Sequence, residues 1–200
     1  MADTTQTDIC NGAIDKVAGK IITSIDSGTL SANACKRSWA TALKDTLSKY
    51  KWPFAKVVEA LVEVSNYTPL EWEYAYAFPS KSVRNWLVYN ELTVDKTIGE
   101  EFTEEYDKTN NQKVIVTNVE DAYVEYSYYV TDVSIFDHAF VKTLEHRLAA
   151  EIAMPLTGDI KLAEAQIVLF NGAISEAERL ASYGHNPPKN PPNLFVDSRS

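Results

Sequence analysis

A chain of 200 residues with 45% apolar and 24% charged side chains is an ordinary globular one, long enough to hide about 70% of its unfolded surface without staples. Its formal net charge of −9 argues against a nucleic-acid clamp, which needs clustered Lys and Arg, but it suits a surface that DNA must slide past without adhering. No stretch approaches the roughly 20 apolar residues that span a bilayer. Met1-Ala2-Asp3-Thr4-Thr5 has neither the basic region nor the apolar run of a leader, so a soluble protein made and used without export is expected.

The pattern predicts a first helix from Asp3 to Gly19, capped by Thr4, Thr5 or Thr7, with Ile9, Ala13, Ile14 and Val17 on one face. Asp26-Ser27-Gly28 supplies turn chemistry. Ser31 then caps a second helix to about Tyr50, with Cys35, Trp39, Leu43, Leu47 and Tyr50 as its stripe. Cys10 and Cys35 fall on separate helices; two cysteines make no framework, and buried free thiols in a reducing compartment are expected.

From Phe54 the character changes. Val57, Val58, Leu61, Val62 and Val64 form a β-branched run of ambiguous periodicity. Trp72 to Phe78 alternates large aromatic with small or acidic residues, the pattern of a strand with one buried face. Pro79-Ser80-Lys81-Ser82 is a turn, and Val83 to Asn90 a second strand carrying Trp86, Val88 and Tyr89. Glu100 to Lys113 is acidic and polar, read as a solvated loop or a projecting tip. Val114 to Asn118 and Ala122 to Thr131 are further strands.

Phe136, Phe140, Leu144, Leu148 and Ile152 then recur at a helical step. Ala163, Ile167, Phe170, Ile174, Ala177 and Ala181 follow on a second helix. Between them lie Pro155, which cannot continue a helix, and Gly158, suited to end one. Two antiparallel helices with one stripe each cannot bury those stripes alone. Beyond Tyr183, Gly184 to Asn193 is proline-rich and favours an extended form, ending in Leu194-Phe195-Val196-Asp197-Ser198-Arg199-Ser200. An apolar triplet behind a stiff spacer reads as a docking arm, because a stiff arm loses little entropy on binding; a frayed terminus is the plain alternative. The layout is α+β: two helices, an antiparallel region of four or five strands, and two longer helices.

Chemistry is harder to find. The glycines are scattered singly, so no phosphate-cradling loop forms, and no Gly-x-Ser-x-Gly elbow is present. His138 and His146 share one helix roughly 12 Å apart along its axis, too far to bind one metal together. No metal, cofactor or catalytic residue is therefore expected. Glu71 and Glu73 flank Trp72 about 7 Å apart on one strand face, the form a sugar-cleaving pair takes, and also that of a solvated strand edge. The aromatics of the middle region exceed what one small sheet face needs, which makes Trp72, Tyr74, Tyr76 and Trp86 candidate interface residues. Glu101, Glu104 and Glu105 join them as an acidic tip or a lining that repels DNA.

Several stretches, in order, resemble one family. They are Ile9-Cys10-Asn11-Gly12-Ala13-Ile14, Ile22-Thr23-Ser24-Ile25-Asp26, Ala34-Cys35 to Trp39, Trp52-Pro53-Phe54-Ala55, and Trp72-Glu73-Tyr74-Ala75-Tyr76-Ala77-Phe78-Pro79. Val116-Thr117-Asn118, Tyr126 to Asp132, Phe136-x-x-x-Phe140 and Leu148 to Ala153 complete the set. Together, over residues 5 to 183, they resemble the tail tubular protein A, or head-to-tail adaptor, of T7-like short-tailed bacteriophages. Lys81 departs from the pattern, standing where an acidic residue is expected.

The resemblance implies a non-enzymatic virion protein that assembles as a ring, expected to be twelve-fold, beneath the portal protein of the filled capsid. The ring would attach the tail nozzle and help retain and pass the genomic DNA, which it does not bind specifically; no membrane is involved. The resemblance also implies a helical bundle of 1–53 and 132–183, an inserted β region at 54–131, and an arm at 184–200. Leu194, Phe195, Val196, Asp197 and Arg199 would bind the portal or the next subunit. Two rivals stand beside this reading: a tail-associated hydrolase of polysaccharide or cell wall using Glu71 and Glu73, and a nucleic-acid packaging factor.

Overall fold

A computed structural model describes residues 4–17, 20–93 and 95–184. Helix α1 spans Gln6–Asp15, shorter than the expected Asp3 to Gly19. Thr5 sets its start through a reciprocal box: its hydroxyl oxygen accepts from the Asp8 N–H, and the Asp8 carboxylate accepts from the Thr5 N–H at 2.9 Å. Helix α2 spans Leu30–Lys49 and is capped by Thr29, not Ser31. Thr29 Oγ1 accepts from the Ala32 N–H at 3.2 Å, leaving Ser31 inside the first turn.

Helix α3 spans His138–Thr157, with Asp137 accepting from the Phe140 N–H at 2.7 Å. Pro155 does not stop it: the proline lies in the last turn, and the helix runs two residues further to Thr157 before Gly158 caps it, with a φ of 71° that only glycine adopts freely. Asp159 caps helix α4, Ile160–Gly184, which folds back along α3. Helix α3 is the axle of the helical layer, packed against α1, α2 and α4. Ile9, Ile14, Leu43, Leu47, Leu144, Leu148 and Ile152 are fully buried between them. Trp52, Phe54, Phe136 and Phe140 close one end as edge-on or tilted rings, and Trp52 Nε1–H donates to the Thr46 carbonyl at 2.9 Å.

Helix α1 crosses α3 at Gly12, where a Cβ would overlap the Glu145 carboxylate. Lys16 holds that carboxylate at 2.6 Å and also donates to the Gly12 carbonyl at 3.0 Å. Gly12→Ala is therefore expected to be neutral or destabilising in the native chain, because the side chain of Glu145 must swing off Lys16. In a Glu145→Ala background the same change should add up to about 1 kcal/mol, the helix-propensity gain alone. Urea unfolding of the four chains gives the coupling directly.

Between α2 and α3 lie six strands, one or two more than expected: β1 Lys56–Ala60, β2 Tyr74–Ala77, β3 Ser82–Tyr89, β4 Phe102–Asp107, β5 Gln112–Thr117 and β6 Tyr123–Tyr128. They form two antiparallel three-stranded sheets, ordered β1-β6-β3 and β2-β5-β4. Both seams are stitched. Val64 N–H donates to the Ala75 carbonyl and Ala77 N–H to the Val62 carbonyl, each at 2.8 Å; across the other seam Glu100 N–H donates to the Val88 carbonyl at 2.7 Å. The result is a small barrel filled by Tyr76, Val88, Ile115, Val124 and Tyr126. Its rim meets the helices through Val83, Tyr128, Tyr129 and Val130.

Three sequence expectations change here. The Val57–Val64 run is a strand only to Ala60; beyond it, the chain crosses to the other sheet. The strand expected at Trp72–Phe78 shrinks to Tyr74–Ala77, and both of its faces are covered. Tyr76 points into the barrel, while Ala75 with Val114 and Val116 lies outside it beneath Val64, Tyr67 and Trp72. The acidic stretch 100–113 is not a loop but strand β4 and a tight hairpin into β5. Asp107 nucleates the turn by accepting from the N–H groups of Thr109 (2.9 Å) and Asn110 (3.2 Å).

Candidate interaction surfaces

Among the described residues helix α4 has one substantial packing partner, α3. Of its expected stripe, Phe170 and Ala177 are buried and Ala163 and Ile174 half-buried, while Ile167 stays 45% exposed. Other apolar residues of the helix are largely exposed among the described residues: Ile160 is 62% exposed, Val168 69%, Leu169 49% and Leu180 51%. Beside them runs a largely apolar groove of about 600 Å³ between α3 and α4, lined by His138, Lys142, His146, Val168, Leu169 and Leu180 among others. Gly172 forms part of its floor, and a Cβ there would meet nothing within 4 Å. A mid-helix glycine costs about 1 kcal/mol relative to alanine, and no packing among the described residues requires this one. His146 is positioned by Gln166 at 2.8 Å.

The aromatic and acidic candidates divide among four places. Trp72 and Glu101 come together with Glu100, Thr117 and Asn118 around a polar pocket of about 440 Å³ at the barrel end that carries Asn90. Tyr74 stacks on Tyr76 at 6.3 Å. Tyr76 is taken up by the interior, 3% exposed with its hydroxyl donating to the Val119 carbonyl at 2.7 Å, so it offers no surface for a ring or nozzle contact. Glu105 is half-buried and accepts from the Tyr67 hydroxyl at 2.5 Å, whereas exposed Glu104 accepts from Asn85 at 3.0 Å and faces Lys113 at 3.4 Å. Trp86 lies on the other sheet, where its Nε1–H donates to Ser127 Oγ at 2.8 Å. The arm residues Leu194, Phe195, Val196, Asp197 and Arg199 lie outside the described residues, as does His185.

Glu71 and Glu73 are exposed on an irregular segment rather than paired on a strand face. Among the described residues no group of His, Cys, Asp or Glu is arranged to hold a metal ion, and no helix is long and apolar enough to cross a membrane. Cys10 and Cys35 are both buried and free, and their thiols meet across α1 and α2, a contact that the spacing of two cysteines did not reveal.

Sequence reading missed Glu125, a deeply placed carboxylate on the barrel's outer face, with its side chain 9% exposed. Burial pushes its carboxyl up, but hydrogen bonds from Lys56 (2.8 Å) and Lys51 (3.0 Å) outweigh burial and hold it below the ordinary carboxylate range. A pKa lowered by folding contributes stability that is complete above the unfolded value and is lost as pH falls through the folded one. Replacing both lysines by Met leaves burial unopposed and reverses the sign. The double variant is expected to lose about 1–3 kcal/mol at pH 7, less than a fully enclosed charge because water reaches the site, and to close most of that gap near pH 4. Urea midpoints at the two pH values measure it.

No protein-family model matches the chain, and no curated protein sequence does.

Proposed function

We propose that this chain is a structural adaptor that works through surfaces shared with copies of itself and with a capsid vertex: a ring joining the portal of a short-tailed phage to its tail nozzle, retaining and passing DNA. The observation that carries the reading is the bare apolar face of α4 with its groove. Contiguous exposed apolar surface beside a polar rim marks an interaction site, and no described residue of the chain covers it. The motif set resembling tail tubular protein A supplies the particular assembly. An acidic chain suits a channel whose cargo must not adhere.

The assay is direct. Purified chain is mixed with a portal ring, and stoichiometry is read by light scattering and electron microscopy. One ring of about twelve copies per portal is expected, with capture weakened by deleting residues 187–200. A chain that leaves the portal bare refutes the reading.

A further inference from the structure

The outward face of the β1-β6-β3 sheet is cationic in a chain that is acidic as a whole. Arg84 lies with Cζ 4.1 Å from the centre of the Trp86 ring and donates from Nη1 to the Ser48 carbonyl at 3.0 Å. Lys51 stands 5.8 Å from the same ring and shares the buried Glu125 with Lys56. Where this face meets α2, Lys44 and Lys81 line a pocket of about 470 Å³ with Ser48 and Tyr129. Lys44 lies 5.3 Å over the Tyr129 ring, and Lys81 5.6 Å over Tyr128. Asp45 nearby is engaged by Arg147 at 2.6 Å. Lys44, Lys81 and Arg84 make no ion pair among the described residues, so the face keeps a surplus of fixed positive charge.

The aromatic rings here hold cations in place. Single-stranded nucleic acid is gripped by bases stacking on open aromatic faces, but these faces are already occupied by ammonium and guanidinium groups. The arrangement fits carboxylates presented at set positions, since an oriented guanidinium fork matches a carboxylate closely. Such a set exists on the same molecule. Glu100 and Glu101 are exposed at the mouth of the Trp72 pocket without an ion pair among the described residues, and Glu104 follows on β4 with Lys113 3.4 Å away as its cation.

We propose that the cationic face of one copy docks on the acidic 100–104 stretch of a second copy, head to tail. The inference rests on the assembly reading and gives it a contact. A heterologous contact leaves every copy with one used and one unused surface, so association continues until the chain of copies closes, which is how a ring forms. Opposite charge contributes register and on-rate more than affinity, and the association should weaken with salt.

Two variants test it in the full chain: Lys44→Glu with Arg84→Glu, and Glu100→Lys with Glu101→Lys. All four positions are exposed, so thermal unfolding should stay close to wild type. Each variant alone is expected to self-associate at least about tenfold more weakly than wild type in sedimentation velocity at low salt. An equimolar mixture should recover association, because each variant keeps the surface its partner lost. Wild-type behaviour by either variant alone, or a mixture no better than its parts, overturns the contact. Full loading of a portal ring by both variants overturns it while leaving the adaptor reading intact. A wild-type chain that stays monomeric both alone and on a portal ring overturns the two together. Binding of a short duplex or single-stranded oligonucleotide that is lost in the Lys44/Arg84 variant, with self-association unchanged, assigns the face to nucleic acid instead.

Discussion

Phe140→Ala is expected to lower the stability of the folded chain by about 3–5 kcal/mol. Phe140 is fully buried at the first turn of α3, with ring centroids 4.9 Å from Trp52, 4.9 Å from Phe54 and 4.7 Å from Phe136. Truncation removes the transfer free energy of a large side chain and the three edge-on contacts, and it leaves a cavity between parts that cannot collapse together. Phe136 and Phe140 belong to the segment entering and starting α3, whereas Trp52 and Phe54 arrive from the end of α2. Trp52 is further tied by its hydrogen bond to Thr46, so it cannot swing into the gap without leaving an N–H unpaired. Urea unfolding followed by fluorescence reads the loss, since Trp52 sits against the site. A change below about 1 kcal/mol would mean that the four rings are not the seam between the two ends of the chain.

The second large effect concerns assembly rather than stability. Val168→Glu with Leu169→Glu is expected to reduce incorporation into a portal-bound ring by about a hundredfold or more, since docking would then have to desolvate two unpaired carboxylates in an apolar contact. Both positions are exposed in the single chain, and Glu is a good helix former, so thermal unfolding should shift little. The decisive comparison is therefore between an unchanged melting curve and a lost ring. Wild-type loading by this variant would show that the bare face of α4 is not where copies or portal dock. Gly172→Leu probes the groove floor in a second way: it should raise helix propensity and fill the groove, weakening assembly while the chain itself becomes slightly more stable.

Periodicity announced the four helices, with capping chemistry locating some of their ends. Phe140, Leu144, Leu148 and Ile152 repeat along one side of α3, and Thr5 and Gly158 mark ends by local hydrogen bonding or backbone freedom, none of which depends on distant parts of the chain, although the caps Thr29 and Asp137 went unread. Strands β3, β5 and β6 were legible for the same reason, being apolar or aromatic runs between turns. Strand β4 was hidden because it carries Glu104, Glu105 and Asp107 and offers only Phe102 to the barrel core, while Glu105 and Asp107 are taken up by hydrogen bonds to Tyr67 and to the hairpin turn, so its strand character comes from pairing with β5 rather than from its own residues. The two-sided burial of β2, the thiol contact between Cys10 and Cys35, and the pair of lysines on Glu125 likewise depend on segments dozens of residues apart in the chain. Interfaces lay further still from view. Which apolar side of α4 stays bare follows from how the helices stack, and a stripe written in sequence carries no record of whether a neighbour within the same chain will cover it.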